Sequence, residues 1–238
     1  MRLLKNVTLI AGPTASGKSS FALEMACKSG AIIVNADSMQ VYSVLRLLTA
    51  RPGPDELALA PHRLYGHVDP REPYSTGRWL RDVEALAEVE GLEARPVIFV
   101  GGTGLYFRAL TEGLSPMPDI PAGVRARWRA RLKDEGAEAL HELLAVIDPI
   151  SAGRIRPSDG QRIVRALEVK EASGKPLSEW QTEPAQPLID RNAARKIVLE
   201  PDRAELATHI QRRFETMLEH GAMEEVRALL NLDLPASV

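Results

Sequence analysis

The sequence predicts an α/β fold, a parallel sheet with helices on both faces, carrying an all-helical insertion in its second half. Three observations predict it. Short apolar runs of strand length alternate with helical patterns. The first and third of these runs break into glycine-rich loops that open helices, as in doubly wound sheets. From about Asp119 the strand pattern stops and only helical periodicity continues until residue 196.

Residues 7–11 (VTLIA) form the first strand and end at Gly12-Pro13, and a helix is expected over 17–29. Residues 31–35 (AIIVN) read as a second buried strand from their length and β-branched content. Ser75 stands where it would cap a helix with apolar positions at Trp79, Val83, Leu86 and Val89. Residues 96–100 (PVIFV) are the third strand, followed by Gly101-Gly102-Thr103-Gly104. Helices are then expected at 121–135, 136–146 and 159–172, the last half-buried through Ile163, Leu167 and Val169. Residues 196–199 (KIVL) return the chain to the sheet, and helices at 203–219 and 222–231 follow with Gly221 as a C-cap between them. The expected organisation is a core of 1–118 and 190–238 around an insertion of 119–189.

The 238 residues are 45% hydrophobic and 26% charged, which excludes a disordered chain. No apolar run reaches the ~18 residues of a membrane-spanning helix, and no signal peptide precedes the first strand. Cys27 is the only cysteine, so no disulfide framework or cysteine metal cluster is available. Its place beside Ala22, Leu23 and Ala26 predicts an inert core thiol, and a reducing cytoplasm fits. A net charge of −2 argues against a surface that grips nucleic acid all over, while leaving room for a local basic groove.

Gly12, Pro13, Thr14, Ala15, Ser16, Gly17, Lys18 and Ser19 match the phosphate-binding pattern G-x-x-x-x-G-K-[ST] between a strand and a helix, the context that pattern requires. Glycines let successive N–H groups turn toward phosphate oxygens, and the helix N-terminus adds its dipole. Lys18 adds a full charge, and the Ser19 hydroxyl can hold Mg²⁺. The fold is therefore P-loop NTPase-like, and the loop binds a di- or triphosphate.

Asp37, in NADSMQVY, would stand at the tip of the second strand. It could bind Mg²⁺ through water, hydrogen-bond a base amine or cap the next helix. Gln40 could read an adenine edge. Thr103 is either a plain N-cap or a ligand of a leaving phosphate. Arg125, Arg127, Arg129, Arg131 and Lys133 put five cations in nine residues, and a helix spreads them as a solvated face. Gln161, Arg162, Ile163, Val164 and Arg165 add two arginines one turn apart. His62 has no second histidine at ligand spacing and reads as a loop hydrogen bonder. Trp128 and Trp180 suit packing better than base stacking.

In combination, GPTASGKS, NADSMQVY, Thr49-Ala50-Arg51-Pro52, PHRLYGHVDP, VGGTGLYFRAL and QRIVRALEV closely resemble the bacterial tRNA dimethylallyltransferases, over residues 7 to about 230 and in the family's order. The resemblance implies transfer of a dimethylallyl group from dimethylallyl diphosphate to N6 of adenine 37, next to the anticodon of tRNAs reading codons that begin with U. It implies that the P-loop holds the diphosphate with Mg²⁺, that Asp37 is the general base, and that Thr103 orients the substrate. It implies tRNA contacts at Asp37, Ser38, Met39, Gln40 and Thr103, at Arg125, and at Gln161, Arg162, Ile163, Val164 and Arg165. Arg213, next to Arg212, is implied as a pyrophosphate ligand. The implied partners are the anticodon stem-loop of tRNA and dimethylallyl diphosphate, with no membrane and a monomeric enzyme. A small-molecule or nucleotide kinase shares only the P-loop, and an isopentenyltransferase acting on free AMP or ADP does not need so large an insertion. Family members usually continue to a basic, aromatic-ending segment. A chain ending at Val238 is accordingly expected to keep diphosphate binding while binding tRNA poorly and turning over slowly.

Overall fold

The computed structural model describes residues 3–182 and 185–234, so the ending at 235–238 lies outside the described residues. The chain divides into two compact units, residues 1–113 with 187–238, and residues 114–186.

The first unit is built on five parallel strands in the order β3-β2-β4-β1-β5. They are β1 Val7–Ala11, β2 Ile32–Asn35, β3 His62–Arg63, β4 Val97–Gly101 and β5 Arg195–Val198. Parallel strands need crossovers, and here these are helical. The crossover helices are α1 Lys18–Ser29, α2 Pro54–Leu59, α3 Thr76–Glu90 and α4 Gly104–Glu112. Every residue of β2 and β4 is buried, which is why both read as unbroken apolar runs. On one face Trp79, Val83, Phe99, Tyr106 and Leu110 pack together, with the Trp79 and Tyr106 rings stacked 4.1 Å apart. Ala22 and Ala26 of α1 cover the other face over Ile10, Ile33 and Ile98.

Two expectations about exposure fail on helical geometry. Cys27 is exposed, not a core thiol, because α1 buries the stripe through Ala22 and Ala26 and the next residue turns off it. Val89 is 84% exposed, since α3 buries Trp79, Val83 and Ala87 instead. Ser75 does cap α3, its side chain accepting from the Arg78 N–H. His62 lies in β3 with its Nδ1 2.8 Å from the Ala60 carbonyl oxygen.

Helices α9 Arg203–Glu219 and α10 Ala222–Leu230 follow β5. Gly221, at φ 100°, is the N-cap of α10, and His220 takes the C-cap position assigned to it from sequence. The amides of Leu188 and Ile189 both donate to the Leu110 carbonyl, and Leu4 bridges Ile189, so the chain re-enters this unit where it left.

The second unit is all-helical, with α5 Ala122–Ile147, α6 Pro149–Ala152, α7 Gly160–Ser173 and α8 Leu177–Trp180. Gly136, at φ 83°, breaks α5 into the two helices read from sequence. Trp128, Leu140, Leu144, Ile163 and Leu167 form a separate core. Ile120 packs into that core, while Leu188 and Ile189 pack into the sheet's, which sets the boundaries at 113/114 and 186/187. Trp128 is a packing residue, buried and donating from Nε1 to Glu171, and Trp180 donates to Ser173.

Candidate diphosphate site

β1 lies between β4 and β5 and runs at its carboxyl end into the loop Gly12 to Gly17. Ala15 at φ 63° and Gly17 at φ 81° are both left-handed, the kind of backbone turn with which successive N–H groups form an anion-binding concavity. For Ala15 that conformation costs of order 1 kcal/mol or more, a strain that persists where the surrounding structure over-determines it. The Ser16 hydroxyl oxygen is buried with no hydrogen-bond partner among the described residues. Lys18 is buried and donates from Nζ to the Pro13 carbonyl at 3.1 Å. Burial lowers its pKa, the Asp37 carboxylate opposes that shift, and Arg213 reinforces it.

Asp37 is placed by Asn35, the last residue of β2. The fully buried Asn35 amide donates to the carbonyls of Asp37 and Leu64, and its Oδ1 accepts the Asp37 N–H at 2.8 Å. Asp37 Oδ1 then accepts the Met39 N–H at 2.9 Å, so the carboxylate braces its own turn rather than capping a helix. Thr103 makes no side-chain cap to α4 either. Its Oγ1 accepts the Ser38 N–H at 2.9 Å and ties the loop after β2 to the loop after β4. At Gly101 a Cβ would fall 2.1 Å from the Ala36 backbone, so only glycine allows these two loops to close up.

Arg213 of α9 is half-buried, with its pKa lowered by burial and raised by Asp37. Lys18, Asp37 and Arg213 therefore share one electrostatic neighbourhood. They line a cavity of about 770 Å³, together with Ser16, Gly17, Ser19, Arg46, Arg51 and Arg212. Arg212 is the more exposed of the adjacent pair. Arg46 and the positioning role of Asn35 were not singled out from sequence, and Arg51 stood there only as part of Thr49-Ala50-Arg51-Pro52, with no role attached. Asn35 stood only as the first residue of NADSMQVY, and Arg46 belongs to none of the quoted motifs.

Gln40 requires a correction. It is buried, and its amide nitrogen donates to the carbonyls of Thr49 at 2.8 Å and Ala50 at 3.0 Å. Both N–H bonds are spent on the backbone, so a bidentate reading of an adenine edge has no donor left. Ser38 and Met39 are exposed.

In the helical unit, Gln161 and Arg162 are exposed at the start of α7 and Arg125 on α5. Arg165 is half-buried, and burial lowers its pKa, with Glu168 opposing and Arg125 adding to the shift. Arg165 and Arg125 thus feel each other. Ile163 and Val164 are corrected from contact residues to core residues, buried against α5. Arg127 and Arg131 pair with Glu171 and Glu135, as a solvated face would.

A parallel sheet whose first strand enters a phosphate-loop sequence, with Lys18 and Arg213 lining the same cavity, defines a P-loop protein. Comparison with known proteins narrows the class. The chain belongs to the IPP transferase family: the family model described as IPP transferase matches residues 40–237, and the one described as isopentenyl transferase matches residues 5–69. It is 69% identical to a tRNA dimethylallyltransferase of Chelativorans sp. (strain BNC1), over 99% of this chain and 81% of that protein. A tRNA dimethylallyltransferase of Mesorhizobium japonicum is 59% identical over 98% of this chain and 74% of that protein. Among solved structures, a full-length tRNA isopentenylpyrophosphate transferase of Bacillus halodurans aligns with TM-score 0.62 and 28% identity, covering 98% of this chain and 72% of its own. A eukaryotic dimethylallyltransferase described as acting on tRNA aligns with TM-score 0.79 and 27% identity, covering 96% and 56%.

Proposed function

We infer that this chain transfers a dimethylallyl group from dimethylallyl diphosphate to N6 of adenine 37 in tRNAs reading codons that begin with U. One observation carries the reading: the carboxylate of Asp37 shares a cavity with Lys18, Arg213 and the phosphate loop. An exocyclic adenine amine is a poor nucleophile because its lone pair is delocalised into the ring, so departure of diphosphate must be assisted. The allylic carbon–oxygen bond breaks as the carbon–nitrogen bond forms. Lys18, Arg213 and the loop N–H groups stabilise the charge gathering on the leaving diphosphate. Asp37 takes the proton that N6 loses. Thr103, bound to the Ser38 amide, keeps that turn and hence the substrate in register. The adenine must leave its stack to be reached, as in other base-modifying enzymes.

Among the described residues no group of three or more His, Cys, Asp or Glu could hold a metal. A lone hydroxyl, Ser19, beside a phosphate loop nevertheless fits Mg²⁺, which takes few protein ligands and relies on phosphate oxygens and water. When bound there, it would neutralise part of the leaving group's charge. No helix among the described residues is long and apolar enough to cross a membrane. That, with relatives named for tRNA work, supports a cytoplasmic setting. Because one chain supplies the loop and both cations, a monomer is the working unit proposed.

We assign tRNA contact to the exposed Ser38 and Met39 with Asp37 and Thr103, and to Gln161, Arg125, Arg162 and Arg165 of the helical unit. Arg162 pairs with Asp159 and Arg165 with Glu168, at 76% and 40% side-chain exposure, where a phosphate can compete for either. Replacing Arg162 or Arg165 with Ala should weaken all tRNA substrates alike and lower the salt dependence of binding by about 0.7–0.9 per lost phosphate contact. An unchanged slope would return both to a solvated face. The reading as a whole is tested by mass spectrometry of tRNA nucleosides after incubation with dimethylallyl diphosphate. Unmodified adenine 37, or phosphate transfer from ATP to a small acceptor instead, would overturn it.

A further inference from the structure

The turn between β2 and α2 carries two arginines of the cavity wall, Arg46 and Arg51, and it is held at both ends. Residues 46–50 coil tightly, with Ala50 N–H donating to the Leu47 carbonyl, Arg51 N–H to the Arg46 carbonyl, and Ala50 in the left-handed region at φ 51°. Such a coil leaves carbonyls unpaired at one end and N–H groups at the other. Gln40 takes the carbonyls of Thr49 and Ala50. The N–H groups of Leu47 and Leu48 are taken by one side chain from far along the sequence. Glu225 of α10 accepts the Leu47 N–H with both carboxylate oxygens, at 2.7 and 2.9 Å, and the Leu48 N–H at 3.1 Å.

We propose that Glu225 is a positioning residue of the diphosphate pocket, gripping the backbone of Leu47 and Leu48 so that Arg46 and Arg51 stay on its wall. The inference rests on the diphosphate reading given above. Arg51 and Leu47 both line the pocket, and the Arg51 side chain is held in place there. Its terminal nitrogen donates to the Ser43 carbonyl at 2.6 Å, and its Nε is buried without a partner among the described residues. An anion in the cavity would meet a guanidinium that the fold has left partly unsatisfied. Arg51 also feels Glu225, whose charge opposes the lowering of its pKa by burial, while Arg46 adds to that lowering. A carboxylate that accepts three hydrogen bonds from two N–H groups and acts on the Arg51 charge anchors the turn without itself lying on the cavity lining.

The test is calorimetric binding of inorganic pyrophosphate, with KM and kcat for dimethylallyl diphosphate measured on the same variants of the full chain. Glu225→Ala should weaken pyrophosphate binding about tenfold, the scale of losing hydrogen bonds to a charged group. It should raise KM by a similar factor with kcat little changed. Glu225→Gln keeps one acceptor and should fall between wild type and Ala, and it guards against misfolding of the Ala variant. In a double-mutant cycle, Glu225→Ala added to Arg51→Ala should cost less than it does alone, because the two act through one turn. Glu224→Gln, on an exposed neighbour paired with Arg227, should bind like wild type. If Glu225→Ala and Glu225→Gln lower only the melting temperature while pyrophosphate binding is unchanged, the positioning role is overturned and the pocket reading stands. A wild-type chain that does not bind pyrophosphate overturns both.

Discussion

Lys18→Ala is expected to lower dimethylallyl transfer by about two orders of magnitude or more, the usual scale for removing an electrostatic stabiliser of a leaving group. The lysine is buried at the mouth of α1, so its charge acts with little screening from solvent. Among the described residues its Nζ donates one hydrogen bond, to the Pro13 carbonyl of the same loop. The fold should therefore survive the substitution, which circular dichroism and a thermal melt would check. Pyrophosphate binding should weaken in parallel with turnover. A folded Lys18→Ala protein with near-normal turnover would remove the phosphate loop from the mechanism.

Asp37→Asn is expected to cut the chemical step by about 10²–10⁴, the range for loss of a positioned base, with much less effect on tRNA affinity. Asparagine keeps an oxygen to accept the Met39 N–H, so the turn that presents it should hold. What it loses is the ability to take a proton and the negative charge. The second loss has its own signature. Asp37 raises the pKa of both Lys18 and Arg213, so its neutralisation should let both fall further. Lys18 would then lose its proton at a lower pH, and the basic limit of pyrophosphate binding should move down in the variant. If single-turnover rates survive while tRNA affinity collapses, Asp37 is a binding residue.

What was legible in the sequence was local. Strands β1, β2 and β4 showed because buried parallel strands are unbroken apolar runs, and the phosphate loop because its glycines and lysine are consecutive. β3 was invisible, since its two residues, His62 and Arg63, form no apolar run and pair only through the backbone with β2. The grip of Glu225 on Leu47 and Leu48 was equally hidden, because it joins positions 177 and 178 residues apart and α10 merely shows an acidic first turn. Gln40 was misread for the same reason. Its partners Thr49 and Ala50 are backbone carbonyls, which no side-chain pattern announces. In α7 the arginines and the apolar pair between them formed one contiguous stretch, and only burial separates Arg162 and Arg165 from Ile163 and Val164.

The doubled hydrogen bond at Leu110, accepting from Leu188 and Ile189, has a consequence for how such a chain can change over time. The entropy lost in bringing two ends of a chain together grows only slowly with the length between them. With the exit and return points already pinned to each other inside the sheet unit, and with Trp128, Leu140 and Leu167 supplying a separate core, the helical segment is a cassette. It can lengthen, shorten or be exchanged without altering the register of any strand. Under the tRNA contacts proposed for this segment, variation in which RNA is engaged would accumulate there without touching the phosphate loop of the sheet unit.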